Sequence, residues 1–204
     1  MTDFENGKSP WHSKRDEIRT ISISGISNIG NYAFDGCEKI SQVEFDADMN
    51  TIGEGSFINC KGLTTVIFPT TTEVSIGQSA FENCEKLESV TWGGVTSIGK
   101  SSFKGCAITS LTLEATVTSI SENAFQNTKI SSVTFNGNSD VCNKVSAFEG
   151  SEATEVSVKI DFDDTIFCGL PPTTKGGVCG SSKTDCSWDY LHAEENWLSM
   201  EKVQ

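Results

Sequence analysis

IGNYAFDGCEKISQVEF, residues 29–45, is the stretch that decides the fold. Its skeleton returns along the chain. A small residue followed by Phe occurs six times: Ala33-Phe34, Ser56-Phe57, Ala80-Phe81, Ser102-Phe103, Ala124-Phe125 and Ala147-Phe148. The Phe-to-Phe steps are 23, 24, 22, 22 and 23. Five residues before each of the first five Phe lies an Ile (Ile29, Ile52, Ile76, Ile98, Ile120), and Gly follows the first four of these. Three residues after Phe comes Cys37, Cys60, Cys84 or Cys106, with Thr128 and Ser151 in the last two copies. An alternating apolar pair closes each copy, from Val43 and Phe45 to Val156 and Val158, and Ile21 with Ile23 supplies an earlier one. Self-similarity at such a period is the signature of stacked repeats.

Each segment has a physical reading. The alternating pairs have period two, so they predict seven short strands with one face inward. The stretch from Ile-Gly to Cys is too short for an independent helix and predicts a tight return containing a turn of helix. Gly36 and Gly105, just after Phe, suit a positive φ, and Asn59, Asn83 and Asn127 hold the same place. One copy cannot bury its own apolar side, so copies must stack and share a core. Burying a Phe is worth about 1.5–3 kcal/mol, which makes the Phe column structural. Trp92 stands where earlier copies have Phe45 and Phe68 and is expected inside. The expected fold is a repeat solenoid of short parallel β-strands and short helical turns, with repeats of 22–24 residues.

The eight cysteines divide into two sets. Cys37, Cys60, Cys84 and Cys106 recur at one place per copy. Stacked strands lie ~4.8 Å apart with side chains parallel, whereas a disulfide needs Cβ atoms about 3.8 Å apart and facing each other. This column therefore reads as buried free thiols acting as small hydrophobes. A metal is not expected there, because its ligands must converge on a point. Cys142, Cys168, Cys179 and Cys186 lie outside the column. Cys179 could pair with Cys186 in an oxidising compartment, or all four could be reduced thiols.

The formal charge is −13, from 28 acidic and 15 basic residues. With no basic stripe to displace counterions, nucleic acid is not an expected partner. Docking on an anionic membrane is disfavoured for the same reason. No stretch approaches the ~20 apolar residues of a membrane span. Met1 to Thr20 is polar and holds no apolar core of a secretory signal.

The pattern Ile-Gly-x-x-Ala-Phe-x-Gly-Cys-x-x-Ile followed by Val-x-Phe closely resembles the BspA-like leucine-rich repeats, over roughly Ile18 to Val158. The resemblance implies a right-handed leucine-rich-repeat superhelix, often on a cell surface, that binds host or matrix proteins. It implies no catalytic residues and no cofactor. Pro10-Trp11 through Arg15 and Ile18 resembles the stretch preceding the first repeat in that family, with Trp11 capping the open core. Cys179-Gly180 with Trp188 resembles the opening of a further module, although Cys186 and the spacing depart from it. The expectation is a chain cut within one module and ending just inside the next. The domains are then a capping segment 1–20, a solenoid 21–160, a linker 161–178 and a C-terminal segment 179–204. Asn143 stands where Ile is expected, which predicts a loosened copy around 136–143.

Strand residues pointing away from the core should line one continuous surface. One row reads Thr20, Gln42, Thr65, Ser89, Ser110, Ser132, Glu155, and the next Ser22, Glu44, Ile67, Thr91, Thr112, Thr134, Ser157. Thr65, Ile67, Ser89, Thr91, Ser110, Thr112, Ser132 and Thr134 form the candidate binding face, for a protein or a glycan. These hydroxyl residues equally suit a solvated strand face. Catalytic motifs are missing: the two His, His12 and His192, lie outside the repeats, and no nucleophile elbow, zinc-protease or phosphate-loop pattern occurs. Asp161, Asp163 and Asp164 lack the Gly and distal Glu of a calcium loop, and Cys179, Cys186 and His192 lack a fourth metal ligand. No enzyme activity, cofactor or metal is expected. Three readings stay open: a surface or secreted adhesin-like module, an intracellular scaffold, and a passive spacer in a longer array.

Overall fold

The computed structural model describes residues 3–175, except 22, 144, 160–163, 165 and 166. The strands, in chain order, are β1 Asn28–Ile29, β2 Gln42–Glu44, β3 Thr51–Ile52, β4 Thr65–Ile67, β5 Val74–Ile76, β6 Ser89–Thr91, β7 Val95–Ile98, β8 Ser110–Leu113, β9 Ser119–Ile120, β10 Ser132–Phe135, β11 Glu155–Val158 and β12 Thr174–Lys175. They form parallel sheets in the orders β1-β3-β5-β7-β9, β2-β4-β6 and β12-β11-β10-β8. Each turn of the coil thus contributes a strand to two walls. The result is a parallel solenoid.

Between the walls runs one apolar core. Phe34, Phe57, Phe81, Phe103, Phe125 and Phe148 are all buried and stack ring on ring, with successive centroids 5.1–5.6 Å apart. The Ile column from Ile29 to Ile120 and the inward strand residues close around them. Trp92 lies inside as expected, and its larger ring reaches both Phe103 and Phe125.

The return segments depart from expectation. Among the described residues the only helix is a 3-10 turn, His12–Lys14. Positive φ occurs at Gly36, Asn59, Asn83, Gly105 and Asn127, where the sequence placed it. It occurs a second time in each copy four residues earlier, at Tyr32, Gly55, Ser79, Ser101 and Asn123. Two left-handed residues four apart break any right-handed helical turn. They also set alternate N–H groups facing alternate ways. The amides of Tyr32, Phe34 and Gly36 donate to the carbonyls of Glu54, Ser56 and Ile58 in the next copy, at 2.7–2.8 Å. The amides of Ala33, Asp35 and Cys37 close turns within their own copy. The return is therefore a second ladder between copies.

The strand wall is not continuous either. It is split between β6 and β8, which are not hydrogen-bonded neighbours. The chain shows why. From the Cys-column residue to the first inward strand residue is six positions in the first three copies, as from Cys84 to Val90. It is five from Cys106 to Leu111 onward. Losing one residue shifts the strand along its own axis against its neighbour, and pairing resumes only within the shorter copies. Among the described residues Ile21 and Ile23 belong to no strand; they border an open groove with Glu44, Phe45 and Asp46.

Both ends of the core are covered. Trp11 stacks on Phe34 at 5.3 Å, and its indole N–H donates to the Ala33 carbonyl. The Phe4 amide donates to the Asn31 carbonyl (3.0 Å). Those two carbonyls would otherwise face a missing copy. At the other end Phe167 stacks on Phe135 at 4.7 Å, β12 pairs with β11, and the Thr173 amide donates to the Val156 carbonyl (2.8 Å). The described part of 161–178 is thus folded onto the last copy.

Candidate functional site

The outward rows of the strand wall are in register. Gln42, Thr65 and Ser89 are Cα partners, as are Glu44, Ile67 and Thr91. Beyond the split, Ser110, Ser132 and Glu155 align, and so do Thr112, Thr134 and Ser157. Alternation fixes the direction of every side chain. Because Val43, Val66, Leu111 and Val133 point into the core, their flanking residues face out. Ser89, Thr91, Ser110 and Thr112 are exposed, and Thr65, Ile67, Ser132 and Thr134 are half-buried by neighbouring rows. All eight candidate residues thus reach the surface, but in two blocks rather than one. Ser22 lies outside the described residues. The face is short of charge, with Glu44 and Glu155 at its ends, and Ile67 is its one apolar member.

The wall opposite carries a second polar row that sequence reasoning passed over: Asn28, Thr51, Ser75, Ser97 and Ser119, in register across five strands. Ser75 and Ser97 hydroxyls meet at 2.6 Å. The signal was present in the residue preceding each column Ile.

The cysteine column is as expected: Cys37, Cys60, Cys84 and Cys106 are free and buried. Their thiols are also donors. Cys60, Cys84 and Cys106 donate to the carbonyls of Phe34, Phe57 and Phe81 in the copy before, at 3.1–3.2 Å. Thr128, in the same place, donates to its own Phe125 carbonyl (2.8 Å). Burial pushes the thiols of Cys60, Cys84 and Cys106 well up, and that of Cys37 to about 11. They stay protonated and unreactive near neutrality.

Cys142 and Cys168 form a disulfide, a pairing the sequence did not reveal. Both are buried. Ile120 donates its amide to the Val141 carbonyl (2.9 Å), which brings Cys142, not Asn143, to the end of the Ile column. Asp140 Oδ1 accepts the amides of Cys142 (3.3 Å) and Cys168 (2.8 Å), and Asp164 Oδ2 accepts that of Asp140 (2.7 Å). A carboxylate and two sulfurs so lie within 4.8 Å of one another. With the sulfurs bonded together and Oδ1 engaged by amides, the group is a clasp and not a ligand set. Asp161, Asp163, Cys179, Cys186 and His192 lie outside the described residues. Among the described residues no helix is long and apolar enough to cross a membrane.

Comparison with known proteins agrees with this architecture. A family model for the BspA type leucine rich repeat region matches residues 13–127 and 74–167, in 6 copies. No curated protein matches the sequence. Among solved structures, a leucine rich repeat protein of T. pallidum superposes with a TM-score of 0.52 at 21% identity, covering 69% of this chain and 70% of that one. A leucine-rich repeat protein from Bacteroides ovatus gives 0.53 at 23% identity, covering 72% of this chain and 41% of that one. A leucine rich cell surface protein from Faecalibacterium prausnitzii gives 0.52 at 25% identity, covering 69% and 38%. The chain spans about two-fifths of the length of these last two. With most of its length under the family model and a parallel solenoid as its fold, the chain belongs to the BspA type leucine-rich-repeat family.

Proposed function

We propose that this chain is a non-catalytic protein-interaction module, displayed on a cell surface or secreted, that binds a host or extracellular-matrix protein through the outward rows of its strand wall. The observation that carries the reading is the register of those rows. Thr65, Ile67, Ser89 and Thr91, and then Ser110, Thr112, Ser132 and Thr134, present hydroxyls at the strand spacing on a rigid core. Such a surface offers donors and acceptors over a wide area with little charge to desolvate. A glycan with repeating hydroxyls is a second ligand class that the same rows can accept.

The Cys142–Cys168 disulfide supports an oxidising compartment over an intracellular scaffold, because disulfides persist where thiols are not kept reduced. The cell-surface description of the F. prausnitzii relative points the same way. Two measurements test the reading. Protease treatment of intact source cells should cleave the protein, and protection until lysis would overturn the surface location. Thr91→Glu and Thr112→Glu should abolish capture by a panel of matrix proteins while leaving the melting curve unchanged. Capture that survives both substitutions would leave the wall a passive spacer.

A further inference from the structure

Neighbouring copies are fastened along three lines: the strand wall, the wall opposite and the return ladder. At the junction of the third copy with the fourth, one line is missing. On the strand wall the Phe45 amide donates to the Ile67 carbonyl (3.0 Å) and the Phe68 amide to the Thr91 carbonyl (3.1 Å), joining the first copy to the second and the second to the third. Trp92 holds the same place in the third copy, and among the described residues its amide finds no carbonyl in the fourth. Carbonyls tell the same story. Those of Ser41 and Thr64 accept the amides of Thr65 (3.3 Å) and Ser89 (3.1 Å), and beyond the split that of Thr109 accepts Ser131 (2.9 Å). Glu88, in the same place, accepts none from the fourth copy among the described residues. Burial gives a second sign. Of the inward residues of β2, β4, β6, β8, β10 and β11, only Val90, at the lip of the split, is half-buried rather than buried.

The other two lines hold at this same junction. The amides of Ser79, Phe81 and Asn83 donate to the carbonyls of Lys100, Ser102 and Lys104, each at 2.8 Å. Lys104 also pairs with Glu82 across the return side (3.4 Å). On the wall opposite, the Gly99 amide donates to the Ile76 carbonyl (2.8 Å). Between the walls Phe81 and Phe103 stack at 5.2 Å with their planes 11° apart. Beneath the split the Trp92 ring lies against both Phe103 and Phe125, so the core stays filled there. A joint bonded on one side and open on the other turns about its bonded side, because opening it breaks no ladder.

We propose that the junction between the third and fourth copies is a hinge, with the return ladder as its axis and the strand wall as the side that opens. The copies up to Trp92 move as one block and those from Ile98 to Val158 as another. Thr65, Ile67, Ser89 and Thr91 then ride on one plate, and Ser110, Thr112, Ser132 and Thr134 on a second, so a partner spanning both sets the angle between them. That last consequence rests on the interaction-module reading; the hinge does not. The test is a pair of distance distributions on the whole chain, measured by double electron–electron resonance. Nitroxides are carried on p-acetylphenylalanine, which leaves the cysteines alone. One pair replaces Gln42 and Glu155 on the strand wall, the other Glu38 and Glu152 on the return side, and all four positions are exposed. Each pair spans five copies, about 24 Å at the strand spacing. The strand-wall distribution should be roughly twice as wide as the return-side one. Equal widths would overturn the proposal, whether both are narrow, as in a rigid rod, or both broad, as in an evenly flexible one. Amide exchange followed by NMR needs no substitution. The Trp92 amide should exchange about tenfold faster than those of Phe45 and Phe68. Equal protection of the three would show a bonded wall and would also overturn the hinge. Failure of matrix capture would sink the strand-wall reading and leave both of these readouts as they are.

Discussion

Four of the six described cysteines are thiols sealed in the core, and their chemistry sets an alkaline limit on the fold. An unfolded chain releases thiol protons from about pH 8.5. In the folded chain burial raises all four, Cys37 to about 11 and the others well above the ordinary thiol value. The folded state then holds more protons, so stability is complete below the unfolded value and is lost as pH climbs toward the folded ones. Each thiol contributes a loss of about 1.4 kcal/mol per pH unit in that window. Urea midpoints should fall steeply between pH 9 and pH 11, and Cys84→Ala should reduce the slope by one proton. A profile flat to pH 11 would contradict the burial. Ser56 and Ser102 present the opposite case. Their buried hydroxyls have no partner among the described residues. Ser56→Ala and Ser102→Ala should stabilise by about 1 kcal/mol, because an unmet hydroxyl costs more than a methyl in the same space. Destabilisation in urea titrations would show that the hydroxyls are engaged.

The return segment is the element that sequence could read only halfway. Gly36, Asn59, Asn83, Gly105 and Asn127 announce their positive φ by residue type, and the structure agrees. Tyr32, Gly55, Ser79, Ser101 and Asn123 adopt it too, yet five positions with four residue types give no pattern to read. Apolar residues at uneven offsets suggested a helical turn, and only the paired left-handed residues rule it out. A test follows from the conformation. Ser79→Gly and Ser101→Gly should stabilise by roughly 0.5–1 kcal/mol, and Asn83→Val should destabilise by about 1–2 kcal/mol, since a β-branched residue tolerates that region least. Thermal melts of the three variants that fail to separate in this order would put the second ladder in doubt. The strand wall was legible as a set of rows. Its split was present in the spacing from Cys84 to Val90 against Cys106 to Leu111, but one missing residue gains meaning only when strands are laid side by side.

In a solenoid stability is a sum over nearest neighbours, so the ends open before the middle. The Cys142–Cys168 disulfide closes a loop with a separation of 26 residues and ties the last cover to the copy beneath it. Chain entropy for such a loop is worth about 3–4 kcal/mol. Cys168→Ser should therefore speed hydrogen exchange at residues 140–175 while leaving the copies from Ile29 to Gly99 protected. Uniform loss of protection along the chain would mean that the solenoid unfolds as one unit. The cysteines also come in a telling order: Cys37, Cys60, Cys84 and Cys106 all precede Cys142 and Cys168. A ribosome delivers the chain in that same order. The copy that covers each of the four thiols therefore leaves the ribosome before Cys168 has been synthesised. The order of synthesis and the order of burial thus run the same way along the chain.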